Sequence, residues 1–191
     1  MKNSILLFLS LLTLNLSAQT FGLKGGVAIT NFSGSNADAE FRTGFYFGTF
    51  LKVGEENIKW SPELIFHQKG AQEAGNLVNS RFEMKLNYID FSINANFHIN
   101  DELSLVAGPY LGYATSGTIK TTTSGETNSE SIDDWDGFNR IEFGTNLGAA
   151  YEINDLFHVD VSYGIAFTDI YDDISIHNTS LRFGIGYVFA Y

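Results

Sequence analysis

The closing segment, Asn178 to Tyr191, reads NTSLRFGIGYVFAY and alternates without a break. Leu181, Phe183, Ile185, Tyr187, Phe189 and Tyr191 fall on one face, and Ser180, Arg182, Gly184, Gly186, Val188 and Ala190 on the other. Successive side chains of a strand point to opposite faces, so this stretch is a strand with one bulky apolar face and one small or polar face. Seven earlier segments repeat the pattern, at 21–30, 41–53, 58–69, 82–99, 103–115, 139–153 and 156–168. Beyond the N-terminus no apolar run approaches the roughly 20 residues a membrane helix needs. A chain with so many bulky faces can still enter a membrane as a closed barrel, because hydrocarbon tolerates no open sheet edge.

The connections show which face meets which solvent. Polar loops at 31–40, 70–81, 116–138 and 169–177 alternate with short turns at 54–57, 100–102 and 154–155. Outer-membrane barrels have this arrangement, with short periplasmic turns and longer outer loops. A soluble up-and-down barrel also has eight alternating strands, but packs its bulky face inside, where eight staves leave barely enough room for side chains. Here glycines stand opposite the aromatic residues, which suits a narrow lumen and a bulky exterior. Phe21, Trp60, Tyr113, Tyr151 and Tyr191 near strand ends suit the aromatic girdles of the two interfaces. The expected fold is all-β: an eight-stranded antiparallel up-and-down transmembrane β-barrel. Pro62 lacks the amide a central strand needs, so a bulge is expected there.

The first 18 residues read as a signal peptide: Lys2, the apolar run Ile5 to Leu12, then Ser17-Ala18 before Gln19. That leaves 19–191 as one barrel domain, exported through the inner membrane to the outer membrane of a Gram-negative cell. Without Lys2 there are 10 basic and 22 acidic residues, a net charge of −12. Such a balance argues against nucleic-acid binding. The absence of cysteine excludes disulfides, thiolate metal sites and N-terminal lipidation.

Several strands carry a resemblance. Pro62-Glu63-Leu64 with Gln68-Lys69-Gly70, Tyr88-Ile89-Asp90-Phe91, Gly108-Pro109-Tyr110-Leu111-Gly112-Tyr113, and Phe143-Gly144 with Gly148-Ala149-Ala150 follow in order. With Gly22 to Val27 and the aromatic terminus, they resemble the outer-membrane β-barrel domain labelled porin family or PorT family. Ser92 stands where that family usually has proline, and Ala150 replaces a glycine. The resemblance implies a barrel in the outer membrane and leaves the activity open.

The polar face carries the candidate chemistry. Lys24, Arg42, Lys52, Lys59, Lys69, Arg140 and Arg182 are set against Glu63, Asp90, Glu142, Glu152 and Asp160. Buried charges need partners, so these residues are expected to form an ion-pair network filling the lumen, with Glu63 and Glu142 as acceptors for Arg42, Arg140 and Arg182. The other reading of the same residues is a small-solute, porin-like channel.

Three outer loops hold a net −9 through residues such as Asp38, Glu40, Glu126, Glu130, Asp169, Asp172 and Asp173. Asp133, Asp134 and Asp136 are a weak metal candidate, since hard cations take clustered carboxylates, but the spacing matches no calcium loop. No cofactor is expected. Four histidines, at 67, 98, 158 and 177, show no spacing that defines a nucleophile, base and orienter, so no enzyme activity is expected. A Ser, Glu or Asp beside a histidine at the outer rim would revive a lipid-A-modifying enzyme. The expected role is therefore non-catalytic: a structural or accessory component that docks another envelope protein through its acidic outer loops. The expected partners are outer-membrane lipid and the barrel assembly machinery, with Phe183, Ile185, Tyr187, Phe189 and Tyr191 as the assembly signal.

Overall fold

The computed structural model describes residues 19–34, 39–54, 57–74, 80–123, 126–132, 136–172 and 175–189. The signal-peptide segment, Asp38, Asp133, Asp134, Asp173 and Tyr191 lie outside them. The strands are β1 (Gln19–Gly34), β2 (Arg42–Val53), β3 (Ile58–Ala74), β4 (Ser80–His98), β5 (Leu103–Thr123), β6 (Glu126–Ser131), β7 (Ile141–Glu152), β8 (Phe157–Ala166) and β9 (Ile176–Val188). Every pairing is antiparallel. Neighbours run β4-β3-β2-β1-β9-β8-β7-β5, and β4 pairs again with β5, which closes the sheet.

The register sets the size of the barrel. Partners lead from Gln19 through Val53, Trp60, Ala95, Ala107, Leu147, Tyr163 and Leu181 to Ile29, a return ten residues further along β1. Eight staves with that stagger give a tilt of about 40° and a backbone radius of about 8 Å. Such a lumen takes one layer of side chains and no wide channel.

The faces divide as the alternation requires. Phe45, Phe47, Phe91, Phe143, Leu147, Phe183 and Ile185 point outward and stay about half exposed, while Glu63, Asp90, Glu142 and Arg182 are buried. Apolar rings in open exposure around a polar interior make a lipid-facing belt. Some inward positions are bulky as well: Tyr46, Phe50, Tyr88 and Tyr110 are buried. Glycines on nearby staves make room for two of them. A Cβ on Gly184 would collide with the Tyr46 hydroxyl, and one on Gly22 with the Phe50 ring.

Two expectations need correction. The segment 116–138 is not one long loop. β5 continues to Thr123, and β6 pairs back on it from Thr123↔Glu126 to Thr118↔Ser131. Threonine-rich sequence favours an extended backbone, and β6 is exposed along its whole length, so no apolar stripe marks it. At Pro62 there is no bulge. Phe50↔Glu63 and Val53↔Trp60 keep one register across it, and Pro62 pairs with Ile93 of β4. The bulge lies elsewhere, between Asn87 and Tyr88 of the β4–β5 ladder, where Thr115 of β5 is the extra residue.

Candidate functional site: a sealed lumen under a protruding sheet

The lumen is filled in layers. Nearest the periplasmic turns, Lys52 Nζ donates to Glu152 Oε1 at 2.7 Å. Lys52, Lys59, His98, Glu152 and His158 border a cavity of about 30 Å³, room enough for water. Buried Asn94 Oδ1, His98 Nε2 and His158 Nδ1 find no protein partner, and all three residues line that cavity. A water there would satisfy them.

The next layer centres on Lys24, which lies 3.3 Å from Glu63 and 3.0 Å from Asp160. Tyr46 donates its hydroxyl to Asp160. The Arg182 guanidinium lies over the Tyr46 ring and donates to Ser162 and Asn146. Above it, Lys69 donates to Asp90 at 3.0 Å and Glu142 at 2.6 Å. Its ammonium also sits 4.5 Å from the Tyr88 ring centre and 4.7 Å from that of Tyr110. Glu142 accepts two more bonds, from Tyr110 and Asn178, and Asp90 is bonded to His67 Nδ1 at 3.0 Å. Side-chain exposures of 2 % for Lys69 and 3 % for Glu142 leave these charges to one another.

The top layer is apolar. Met84, Leu86, Tyr88, Ala114, Ile132 and Ile170 form a buried cluster, joined by Phe82, Ile119 and Phe138 among others. It caps the polar lumen where β4 and β5 rise past the bulge.

Arg42, Arg140 and Arg182 do not take the acceptors the sequence suggested. Glu63 and Glu142 are held by Lys24 and Lys69, whose point charges fit the narrow layers. Arg42 instead bonds Glu83 at 3.0 Å, and Arg140, just before β7, donates to the Ala114 carbonyl. Lys59 makes no ion pair among the described residues. His67, Tyr46, Tyr110, Asn146 and Asn178 complete the network and were missed. Their signal was present, since each falls at an inward position of its strand. The apolar cap also had a signal: Phe82, Met84 and Leu86 share a face with Tyr88 and Asp90, so the inner face of β4 turns apolar toward its outer end.

Asp136 is exposed, and no cluster of three His, Asp or Glu able to hold a metal occurs among the described residues. At the outer rim, His177 Nδ1 lies 3.1 Å from Asp169 Oδ1. Ser33 stands directly opposite His177 in the β1–β9 ladder, with no hydrogen bond from its side chain to the ring.

A closed antiparallel barrel with a lipid-facing exterior and a packed polar interior is an outer-membrane barrel. The chain belongs to the family described as "Outer membrane protein beta-barrel domain", which it matches over residues 17–172. No curated protein matches it. Solved structures share the fold. Ail, the attachment invasion locus protein of Yersinia pestis, is 17% identical at a TM-score of 0.57, covering 90% of this chain and 99% of its own. Neisserial surface protein A is 14% identical at a TM-score of 0.56, covering 88% and 97%. OprG from Pseudomonas aeruginosa is 15% identical at a TM-score of 0.52, covering 91% and 97%.

Proposed function

We propose that this outer-membrane barrel is a closed, non-catalytic anchor whose working surface is its extracellular sheet, on which another envelope protein docks. The observation that carries this reading is the β5–β6 hairpin. It stands beyond the barrel with all six residues of β6 exposed, and β6 pairs with β5 alone among the described residues. Glu126 and Glu130 lie on its inner face, opposite Thr123 and Ile119. A partner presenting an extended, basic segment would find backbone groups to pair with and acids to neutralise.

The test is a photo-crosslinker at Asn128 in intact cells, with adducts identified by mass spectrometry. A discrete protein adduct, lost in E126Q/E130Q, supports docking. Adducts with lipid alone would overturn it.

One observation favours a second reading, a hydrolase acting on outer-leaflet lipid. The Asp169–His177 pair supplies an oriented base, and Ser33 lies across the ladder from it. The missing element is contact between Ser33 and the ring, which a nucleophile must make in the reactive complex. If this reading holds, lipid A from cells expressing the protein loses an acyl chain, and S33A and H177A each abolish the mass change. Unchanged lipid A leaves the docking reading standing.

A further inference from the structure

The ten basic residues beyond Lys2 are not spread evenly. Lys24, Lys52, Lys59, Lys69 and Arg182 line the lumen or its mouth, and Arg42 and Arg140 bond partners at the outer end of the barrel. The remaining three, Arg81, Lys85 and Lys120, fall on one face of the extracellular sheet. The ladder shows this. Arg81, Glu83, Lys85 and Asn87 oppose Thr122, Lys120, Thr118 and Ser116 in turn. The other face of the same strands carries Met84, Leu86 and Ile119 of the cap, and further out Glu126 and Glu130. The sheet thus separates its charge, with acids above the lumen and cations on the flank.

That flank continues the lipid-facing wall. Ile89 is exposed in the belt, and Lys85 lies four residues before it, toward the outer end of β4. At about 3.3 Å per residue and a tilt of about 40°, its Cα lies about 10 Å higher, and its stem can return the ammonium to the headgroup layer. Lys120 is the diagonal neighbour of both Lys85 and Arg81, at about 7–8 Å, a spacing that lets two cations share one phosphate. Glu83, the acid between them, is engaged by Arg42 at 3.0 Å. Arg81 donates to Gln72, and neither Lys85 nor Lys120 has an ion-pair partner among the described residues. Hydroxyl and amide groups surround them: Asn87 donates to Ser116, and Thr122 bonds Thr127.

We propose that the outward face of the β4–β5–β6 sheet, through Arg81, Lys85 and Lys120, binds the phosphate groups of outer-leaflet lipid and seats the protruding sheet on the membrane surface. The occupant is lipid rather than a soluble anion because the cations lie on the flank directly above the apolar belt. This stands independently of the docking reading, which concerns the opposite face and the edge.

The test titrates the detergent-purified full barrel with lipid A and follows adducts by native mass spectrometry. Wild type is expected to hold lipid A. K85Q/K120Q should bind roughly 25-fold more weakly, at about fivefold per cation near an anionic surface. K59Q, at the periplasmic mouth, should bind as wild type. Lipid A stripped of its phosphates should bind wild type no better than lipid A binds the double variant. Equal binding by wild type and K85Q/K120Q, or equal capture of the stripped lipid, overturns the proposal. Displacement of lipid A by inorganic phosphate alone overturns the lipid assignment in favour of a solute anion. Both substitutions lie outside the packed layers, and SDS-resistant migration verifies that the variants fold; K120Q alone, at an exposed position, repeats the test in the milder background.

Discussion

At the scale of single residues, Lys69 carries the largest share of the interior. It is held by two carboxylates and two aromatic rings in a space closed to water. Removing it leaves Asp90 and Glu142 as like charges facing one another across the emptied position. Breaking a buried pair from one side costs about 3–5 kcal/mol, whereas removing both charges is far milder. K69M should therefore lower the urea midpoint of the barrel refolded in lipid vesicles by an amount equivalent to about 3 kcal/mol. K69M/E142Q should recover part of that loss, because the uncharged amide replacing the Glu142 carboxylate can still accept from Tyr110. A double variant less stable than K69M would show that Glu142 is held mainly by Tyr110 and Asn178, and that Lys69 is incidental.

Individual positions differ in how far the sequence revealed them. Lys24, Glu63, Asp90 and Asp160 could be placed on the inner face because period two needs only parity. Parity does not give height around a tilted barrel, and height decides partners. Lys24 on β1 meets Asp160 on β8 only because the stagger brings them level. The sequence contains that stagger nowhere locally. For the same reason parity pairs the arginines with Glu63 and Glu142, which the stagger gives to Lys24 and Lys69.

At the scale of elements, the strands were legible and their outer ends were not. β7 and β8 agree with the alternation to within a few residues, since each has one face in lipid and the pattern is enforced along its length. β4 and β5 continue past the bulge after Ala114, and β6 lies wholly beyond it. Beyond it both faces meet water or the cap, and the alternation that identifies a stave stops applying.

β9 is the stave whose loss matters most for closure. It pairs with both β1 and β8, and Phe189 continues the seam by donating its amide to the Phe21 carbonyl. The Phe21 and Phe189 rings stack at 5.4 Å on the outer surface. Deleting 189–191 removes that last bond and ring pair along with the aromatic end of the proposed assembly signal. The truncated chain is expected to accumulate in the periplasm, as measured by fractionation and surface protease protection. Normal surface assembly would assign recognition to Phe183, Ile185 and Tyr187 alone.

At the scale of the whole molecule, the lumen is filled by two kinds of layer in series, ion pairs and an apolar cap. The ion-pair layers exclude a solute because their groups already satisfy one another, and a passing ion would have to replace bonds such as Lys69–Glu142. The cap of Met84, Leu86, Ile132 and Ile170 excludes it for the opposite reason, because it offers an ion nothing to bind. Barriers in series make a specific prediction for planar bilayers. Wild type should show no steady openings. Opening the cap alone, by L86G/I132G, should leave the barrel closed at the Lys69 layer. Thinning that layer alone, by K69G/E142G, should leave the cap in place. The fourfold variant should also stay closed, at the layer of Lys24, Glu63 and Asp160, and only the further addition of K24G/E63G should let the barrel conduct. Steady openings from wild type would make this a channel, and conduction by either double variant would identify the layer it breaks as the sole seal.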